Sequence, residues 1–220
     1  MKKQNIIDSI IDFLASDSAG DSKGIYHPEI VKQHLNNVFN QAVYNTWLNG
    51  SKFSDFAQLD AWSKPYVCTV VGQVGTKAHT LLPFAPMQLP NGLGVQAVYD
   101  HADSAVLFAP VESDAQVIFA ELEVDDMDNV PTYTLQQNNL STGEGEPSHM
   151  LLLDKLPVLP LTLITELDVM MIVSLEQVGD FDEIAMPNGA EDSMIQQVIA
   201  LMSKKPIPDT SNDMVIDKKG

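Results

Sequence analysis

The stretch YVCTVVGQV, residues 66–74, marks the point at which the sequence changes from a helical to a strand-forming pattern. Its valine, threonine and tyrosine residues favour extended backbone. Short segments of similar composition follow, separated by Gly, Pro, Asn and Asp clusters: GVQAVYD (94–100), AVLFAP (105–110), AQVIFAELEV (115–124), TYTLQQ (132–137) and, as the last strand, DVMMIVSLEQV (168–178). This pattern predicts an antiparallel sheet or a small barrel, and AQVIFAELEV also fits a helix.

The residues before this stretch have a helical period. In MKKQNIIDSIIDFL the apolar residues recur at helical spacing, and Asp8 and Asp12 interrupt them, which predicts an amphipathic helix over 3–15 instead of a secretory signal. A second helix is predicted from Pro28 to about Leu48, because proline suits a first helical turn and the glycine at 50 suits a stop. Residues 54–62 predict one further short helix.

The chain returns to a helical period in PNGAEDSMIQQVIALMSKKPIPD, residues 187–209. Acidic residues stand in its first turn and lysines in its last, as the helix dipole favours, and Pro206 prevents continuation. We therefore predict a helix over 190–204 with one apolar stripe. The predicted fold class is α+β, with N-terminal helices (1–64), a central antiparallel β-rich domain (65–180), an acidic loop and C-terminal helix (181–205) and an extended, flexible tail (206–220).

Charge is the most informative feature of the composition. The 220 residues include 30 acidic residues and 12 lysines but no arginine, for a net charge of −18. Recognition of duplex DNA needs a basic surface and relies heavily on arginine, so we do not expect the protein to bind duplex DNA. The single cysteine, Cys68, is predicted to fill the core, and synthesis in a reducing cytoplasm fits best. Prolines and charged residues within the apolar region 150–175 exclude a membrane span there.

The sequence contains no recognisable catalytic or metal-binding motif. The five histidines are scattered, and His27 is predicted to be an N-cap or loop residue. The carboxylates of DDMDN (125–129) lack the glycine and distal glutamate of a calcium loop, so they indicate a solvated acidic turn. The glycines of GQVG (72–75) lack a phosphate-binding spacing and indicate turns or bulges. We therefore expect neither catalysis nor a cofactor.

Both ends of the chain resemble virion structural proteins of tailed phages, particularly the neck or ring proteins of crAss-like and related podoviruses. Such chains close with an acidic segment, a Met-Pro or Ile-Pro turn, a short helix and a polar extension. The matching positions here are Asp180, Asp182, Met186, Pro187, Met194, Ile195, Val198 and Ile199. The helix YHPEIVKQHLNNVFNQAVYNTW (26–47) also looks like the helix that opens such proteins.

This resemblance implies a head–tail connector in the phage neck, made in the host cytoplasm and located in the virion. It implies a cyclic homo-oligomer of about twelve subunits that contacts portal and tail proteins, with DNA passing through unbound. The oligomer interface is expected to include Ile6, Ile10, Met194, Ile195, Val198, Ile199 and Met202. On this hypothesis Ile195→Asp or Val198→Asp would disrupt assembly more than folding.

The wall of such a channel is expected to be acidic, since a basic ring would hold the DNA phosphates. The expected lining is Glu121, Glu123, Asp125, Asp126 and Asp128, with a second candidate cluster of Asp180, Asp182 and Glu183. The alternative function is a β-sandwich module that binds a ligand or carbohydrate through aromatic side chains. Its candidate residues are Tyr66, Phe84, Tyr99, Phe108, Phe119 and Tyr133, although core packing is the commoner role of aromatics on strands.

Overall fold

The fold was analysed in a computed structural model that describes residues 2–17, 27–53, 57–90, 94–111, 130–138, 149–156 and 164–203. Its helices are α1 (Lys3–Asp17), α2 (Pro28–Phe53), a short 3₁₀ helix (Ala57–Trp62) and α3 (Ala190–Met202). Its strands are β1 (Lys64–Val74), β2 (Lys77–Leu81), β3 (Val95–Asp100), β4 (Ala109–Pro110), β5 (Thr132–Gln137), β6 (His149–Asp154) and β7 (Glu166–Met171). The predicted α+β class, with helices at both ends of a largely antiparallel sheet, is confirmed.

The strands form one sheet in the order β3-β7-β1-β2-β6-β5-β4, in which only the β4–β5 pair is parallel. The sheet curls so that its two ends meet. The Phe108 amide donates to the carbonyl of Val98 in β3 at 2.9 Å, and the Val111 amide donates to Tyr133 in β5 at the same distance. Residues 106–111 thus connect β3 with β5, and the sheet nearly closes into a barrel.

Strand β1 makes this curvature possible because it is long enough to serve both halves of the sheet. Its first part, Lys64–Thr69, pairs with β7, and its second part pairs with β2. The register shifts between Val71 and Val74, where Gly72 has φ 66°. A Cβ at this glycine would also lie 2.9 Å from the His79 ring. The glycines of GQVG therefore form a bulge and a turn, as predicted.

The described residues form two hydrophobic cores. The inside of the curled sheet holds Cys68, Ala78, Leu82, Val95, Val98, Phe108, Tyr133, Leu151, Leu153, Leu167, Val169 and Met171. The second core lies among the three α-helices and the 3₁₀ helix, and residues that follow β7, including Ile172 and Leu175, join it. Because α3 packs on α1 and α2, the regions predicted as 1–64 and 181–205 share this helical core.

The element boundaries differ from the predictions in several places. Helix α2 continues past Gly50, which is buried, because packing outweighs the cost of about 1 kcal/mol for a helical glycine. The last strand ends at Met171 instead of extending to 178. Strands β2 and β6 were not predicted. The segment 115–124 and the tail 206–220 lie outside the described residues, and no described helix has the length and hydropathy required to cross a membrane.

Candidate assembly surface

The apolar stripes of α1 and α3 are packed inside the subunit. Of the seven residues expected at an oligomer interface, Ile6, Ile10, Met194, Val198 and Ile199 are buried in the helical core, while Ile195 and Met202 are partly buried against it. The five buried side chains offer little area to a neighbour, and the expected interface at all seven positions stays a prediction. Val198 is fully buried in its own chain, so we now expect Val198→Asp to disrupt folding at least as strongly as assembly.

The loop that leads into α3 is held to the N-terminal helices by two lysines. Lys3 is buried, and its Nζ donates to the carbonyls of Leu175 at 2.7 Å and Val178 at 2.9 Å. Lys32 donates to the Asp180 carboxylate at 2.7 Å, and Lys3 lies 3.4 Å from the other carboxylate oxygen. The hydrogen bond from Lys32 lowers the pKa of Asp180, and the same bond raises the pKa of Lys32. This loop is therefore fixed by charge pairing.

The pairing reduces the free negative charge of the second acidic cluster, Asp180, Asp182 and Glu183. Asp180 is neutralised by Lys3 and Lys32, and Asp182 accepts a hydrogen bond from the Gly179 amide at 3.1 Å. Between them Phe181 is 75% exposed. The cluster therefore offers less free negative charge than its sequence predicts. The first cluster, Glu121, Glu123, Asp125, Asp126 and Asp128, lies outside the described residues, so its expected place at a channel stays a prediction.

The outer side of β1 and β2 is apolar and accessible. Val67, Val71 and Leu81 have exposed fractions of 56%, 45% and 39%. Val71 pairs with His79, and alternate residues of a strand share a side, so Val67, Thr69, Val71, His79 and Leu81 form one surface, here called the β1–β2 face. Met150 and Leu152 of β6 extend it, since they pair with Leu81 and His79. Lys77 stands on the same side at the end of β2, with its Nζ 3.9 Å from an Asp154 oxygen.

Carboxylates of strand β7 lie directly beside the β1–β2 face, on the same side of the sheet. Asp168 pairs with Val67, and Glu166 pairs with Thr69. His101 lies beside them, with its Nδ1 at 3.0 Å from an Asp168 oxygen and its Nε2 at 3.9 Å from Glu166. The hydrogen bond with Asp168 raises the pKa of His101. The surface is thus an apolar strip with an acidic border.

Sequence reasoning missed this face, although a signal was present. In residues 66–71 both alternating sets, Tyr66-Cys68-Val70 and Val67-Thr69-Val71, lack charge. The first set faces the inside of the sheet, with Cys68 buried. The second set faces outward, and Val67, Thr69 and Val71 are exposed there among the described residues. A strand of a curled sheet with two uncharged sides indicates either a covering layer or a contact surface.

The aromatic residues considered for ligand binding mostly belong to the interior. Phe108 and Tyr133 are buried, and burial raises the pKa of Tyr133 to about 12. The rings of Tyr66 and Phe84 meet edge to face at 5.4 Å and pack against the sheet core. Tyr99 is half-buried on β3, and Phe119 lies outside the described residues. These positions do not form a shared binding surface.

Two other sequence predictions are confirmed. The carbonyl of His27 accepts from the Val31 amide at 3.3 Å and its Nδ1 accepts from the Glu29 amide at 3.4 Å, so His27 caps α2. Cys68 is buried, and desolvation raises its thiol pKa to about 11. In that environment the Cys68 thiol stays protonated and packs as part of the core.

The described residues line more than one open cleft. One, of about 480 Å³, lies between α2 and residues 175–180, beside Lys3 and Lys32. Another, of about 400 Å³, lies between α2 and residues 85–89, where Asn40, Tyr44, Met87 and Gln177 contribute to its walls. Gln177 spans its edge by bonding both the amide and the carbonyl of Ala85. Within the described ranges, no group of three or more His, Cys, Asp or Glu side chains is arranged to hold a metal ion.

Comparisons with known proteins assign no family to this arrangement. Neither the search with protein-family models nor the search of curated proteins found a match to the chain. A functional interpretation therefore rests on the geometry and charge of the molecule and on the sequence pattern of its two ends.

Proposed function

We propose that this protein is a non-enzymatic structural subunit that associates with copies of itself, and that the β1–β2 face takes part in the contact. The single observation that carries the proposal is the exposure of Val67, Val71 and Leu81 on one side of the sheet, where Leu81 stands opposite Thr69, between the two valines. Burying such side chains contributes roughly 25 cal/mol for each Å² of apolar surface removed from water. Contiguous exposed apolar surface of this kind is typical of protein contact sites.

The charge of the chain makes this face the most suitable one for self-association. A net charge of −18 makes copies of the protein repel each other over most of their surface. None of the residues that define the β1–β2 face is acidic, and the adjacent acids Asp168 and Glu166 have His101 beside them at 3.0 Å and 3.9 Å, so covering this face buries fewer unpaired acids than covering other regions would. Burial of an unpaired charge would cost several kcal/mol, which would prevent association through the acidic regions.

We further propose that the assembly is a ring in the neck of a tailed phage, a head–tail connector of about twelve subunits between portal and tail proteins. The support is the resemblance of both chain ends to such virion proteins. The absence of arginine and the excess of 30 acidic residues over 12 lysines also suit a conduit that DNA passes without being retained. Head-to-tail contacts between copies close into a ring when the rotation allows.

Size-exclusion chromatography with light scattering tests the self-association. The expected result is a mass that is a multiple of the 24.1 kDa subunit, reduced toward one subunit by Val67→Asp or Val71→Lys. Leu201→Asp is the matched control, because Leu201 is 44% exposed on α3, away from the face. A wild-type protein that stays at one subunit at high concentration contradicts the proposal. Electron microscopy of the assembled fraction then distinguishes closed rings from other oligomers.

A further inference from the structure

Positive charge is concentrated in residues 204–220, KKPIPDTSNDMVIDKKG. This segment holds four of the 12 lysines and three aspartates, for a net charge of +1. The preceding 203 residues hold the other eight lysines and 27 acidic residues, for a net charge of −19. The segment is therefore attracted by the rest of the chain, or by another copy of it.

The pattern within the segment matches the β1–β2 face. Met214, Val215 and Ile216 form an apolar triplet, and Lys218 and Lys219 follow closely. The face has the complementary arrangement, an apolar strip bordered on one side by the carboxylates of Glu166 and Asp168. Other exposed apolar side chains of the described residues stand on helices, such as Phe13 and Leu201, in loops, such as Leu107 and Phe181, or at the end of β1, as Val74 does.

We propose that residues 214–219 of one copy dock on the β1–β2 face of another copy, with the apolar triplet over Val67 and Val71 and the two lysines toward Glu166 and Asp168. This inference rests on the proposed function and names the segment that the neighbour contributes. Seventeen residues after Ser203 can span at most about 60 Å, compared with a radius of gyration of roughly 17 Å for a compact chain of this size. The segment is therefore long enough to reach a neighbouring subunit.

The contact is heterologous, because a segment of one copy meets a different surface of the next. Each copy then offers residues 214–219, here called the arm, and one β1–β2 face that accepts the arm of another copy. This arrangement propagates from copy to copy and can close into a ring. The apolar triplet excludes water, and the lysines select the orientation and make association dependent on salt.

Charge reversal tests the proposal, because the docking contact and the general repulsion between copies predict opposite changes in affinity. Glu166→Lys changes the net charge from −18 to −16 and so reduces repulsion between copies. The docking contact nevertheless predicts weaker association, by about threefold to tenfold at low salt. Asp12→Lys makes the same change in net charge on the exposed side of α1 and is expected to leave association unchanged or stronger. The affinity is measured by sedimentation velocity over a dilution series.

Reversing the charges of Lys218 and Lys219 completes a double-mutant cycle with Glu166→Lys. Lys218→Glu combined with Lys219→Glu is expected to weaken association, and adding Glu166→Lys to that pair is expected to restore part of the loss. If Glu166→Lys behaves like Asp12→Lys, or if the combined variant shows no recovery, the docking inference is overturned. If Val67→Asp also leaves association unchanged, the proposed function fails as well, so the two failures are distinguishable.

Mixing experiments decide whether the arm binds its own subunit or a neighbour. Val67→Asp carries an intact arm and a damaged face, whereas Lys218→Glu with Lys219→Glu carries a damaged arm and an intact face. An equimolar mixture is expected to form species of two subunits that neither variant forms alone, because each pair has one intact junction. Absence of those species while wild-type protein assembles overturns docking between copies. Circular dichroism of each variant establishes that it is folded.

Discussion

At the scale of single residues, Lys3 links parts of the molecule that are far apart in the chain. Its ammonium group is enclosed and donates to two carbonyls of the segment that follows β7, and the Asp180 carboxylate lies nearby. A buried charge is tolerated only when hydrogen bonds and an opposite charge replace its water. Lysine at this position therefore anchors the start of α1 to residues 175–180, a role that no local sequence pattern reveals.

Lys3→Met is expected to lower the free energy of unfolding by about 2 kcal/mol, because the carbonyls of Leu175 and Val178 lose their donor inside the protein. Urea denaturation followed by circular dichroism measures the change. The control is Lys52→Met, since Lys52 is exposed near the end of α2. Equal midpoints for the two variants would show that the Lys3 contacts contribute nothing to stability.

The Asp180 ion pair predicts an acid limit to stability. Lys32 lowers the carboxyl pKa of Asp180 in the folded state, so the pair stabilises the protein above the ordinary aspartate pKa of about 3.9 and loses this contribution as the pH falls through the lower folded value. We expect Lys32→Gln to reduce the thermal midpoint at pH 6 and to have progressively less effect below pH 4. A constant difference between variant and wild type across this range would contradict the assignment.

Cys68 is expected to be chemically inert in the folded protein. Its thiol is buried and its pKa is raised to about 11, so little thiolate is present at pH 8. Reaction with a chromogenic disulfide reagent should be slow for the native protein and complete within minutes in denaturant. Fast modification under native conditions would show that the strand containing Cys68 opens readily.

At the scale of elements, α3 shows both what the sequence predicts and what it leaves open. The spacing of Met194, Val198 and Ile199, with acids in the first turn, predicted the helix to within two residues of its observed end. The spacing does not specify the partner, because an apolar stripe fits any apolar surface. The partner is the pair α1 and α2, the second of which ends at Phe53, far along the chain from the start of α3 at Ala190.

The strands show the same limit in a different form. β1, β3 and β5 were predicted because their β-branched and aromatic residues stand between turn signals. β2, KAHTL, has only five residues and few β-formers, while β6, HMLLLD, is rich in leucine and resembles a helical segment. Both become strands through pairing with neighbours along the sheet. The β1–β2 face exists only once β2 is in place, so it could not be predicted from β1 alone.

Substitutions on α3 distinguish its buried side from its exposed side. Val198→Asp is expected to unfold the subunit, because it places an unpaired carboxylate in the helical core at a cost of several kcal/mol. Leu201→Asp is expected to change the thermal midpoint only slightly, since Leu201 is 44% exposed. A folded Val198→Asp protein with impaired assembly would instead support a role of the stripe between subunits.

At the scale of the whole molecule, charge and shape lead to the same interpretation. The sheet is curled, and its outer side is partly apolar. The net charge is strongly negative, and the basic residues are all lysines. Such a molecule is well suited to contact other proteins and poorly suited to hold nucleic acid. The lysines that face inward, Lys3 and Lys32, already have acidic partners within the subunit.

Duplex DNA is therefore expected to show no measurable binding to the protein at about 150 mM salt, where weak contacts with phosphate are screened. An electrophoretic mobility shift assay with the assembled fraction checks this, with a basic DNA-binding protein as the positive control. A salt-dependent shift would reveal a cluster of lysines created by assembly, and it would contradict the expected passage of DNA without retention.

The helical core has a further consequence for how the protein is made. Helix α1 is synthesised well before α3, yet its stripe is covered by α3, which runs from Ala190 to Met202. At about 5–20 residues per second, synthesis of the intervening chain takes roughly 10–40 s. During that interval the apolar sides of α1 and α2 lack part of their cover. The sheet can form first, and the helical layer closes only after α3 has been synthesised, which makes the nascent chain a natural client for chaperones.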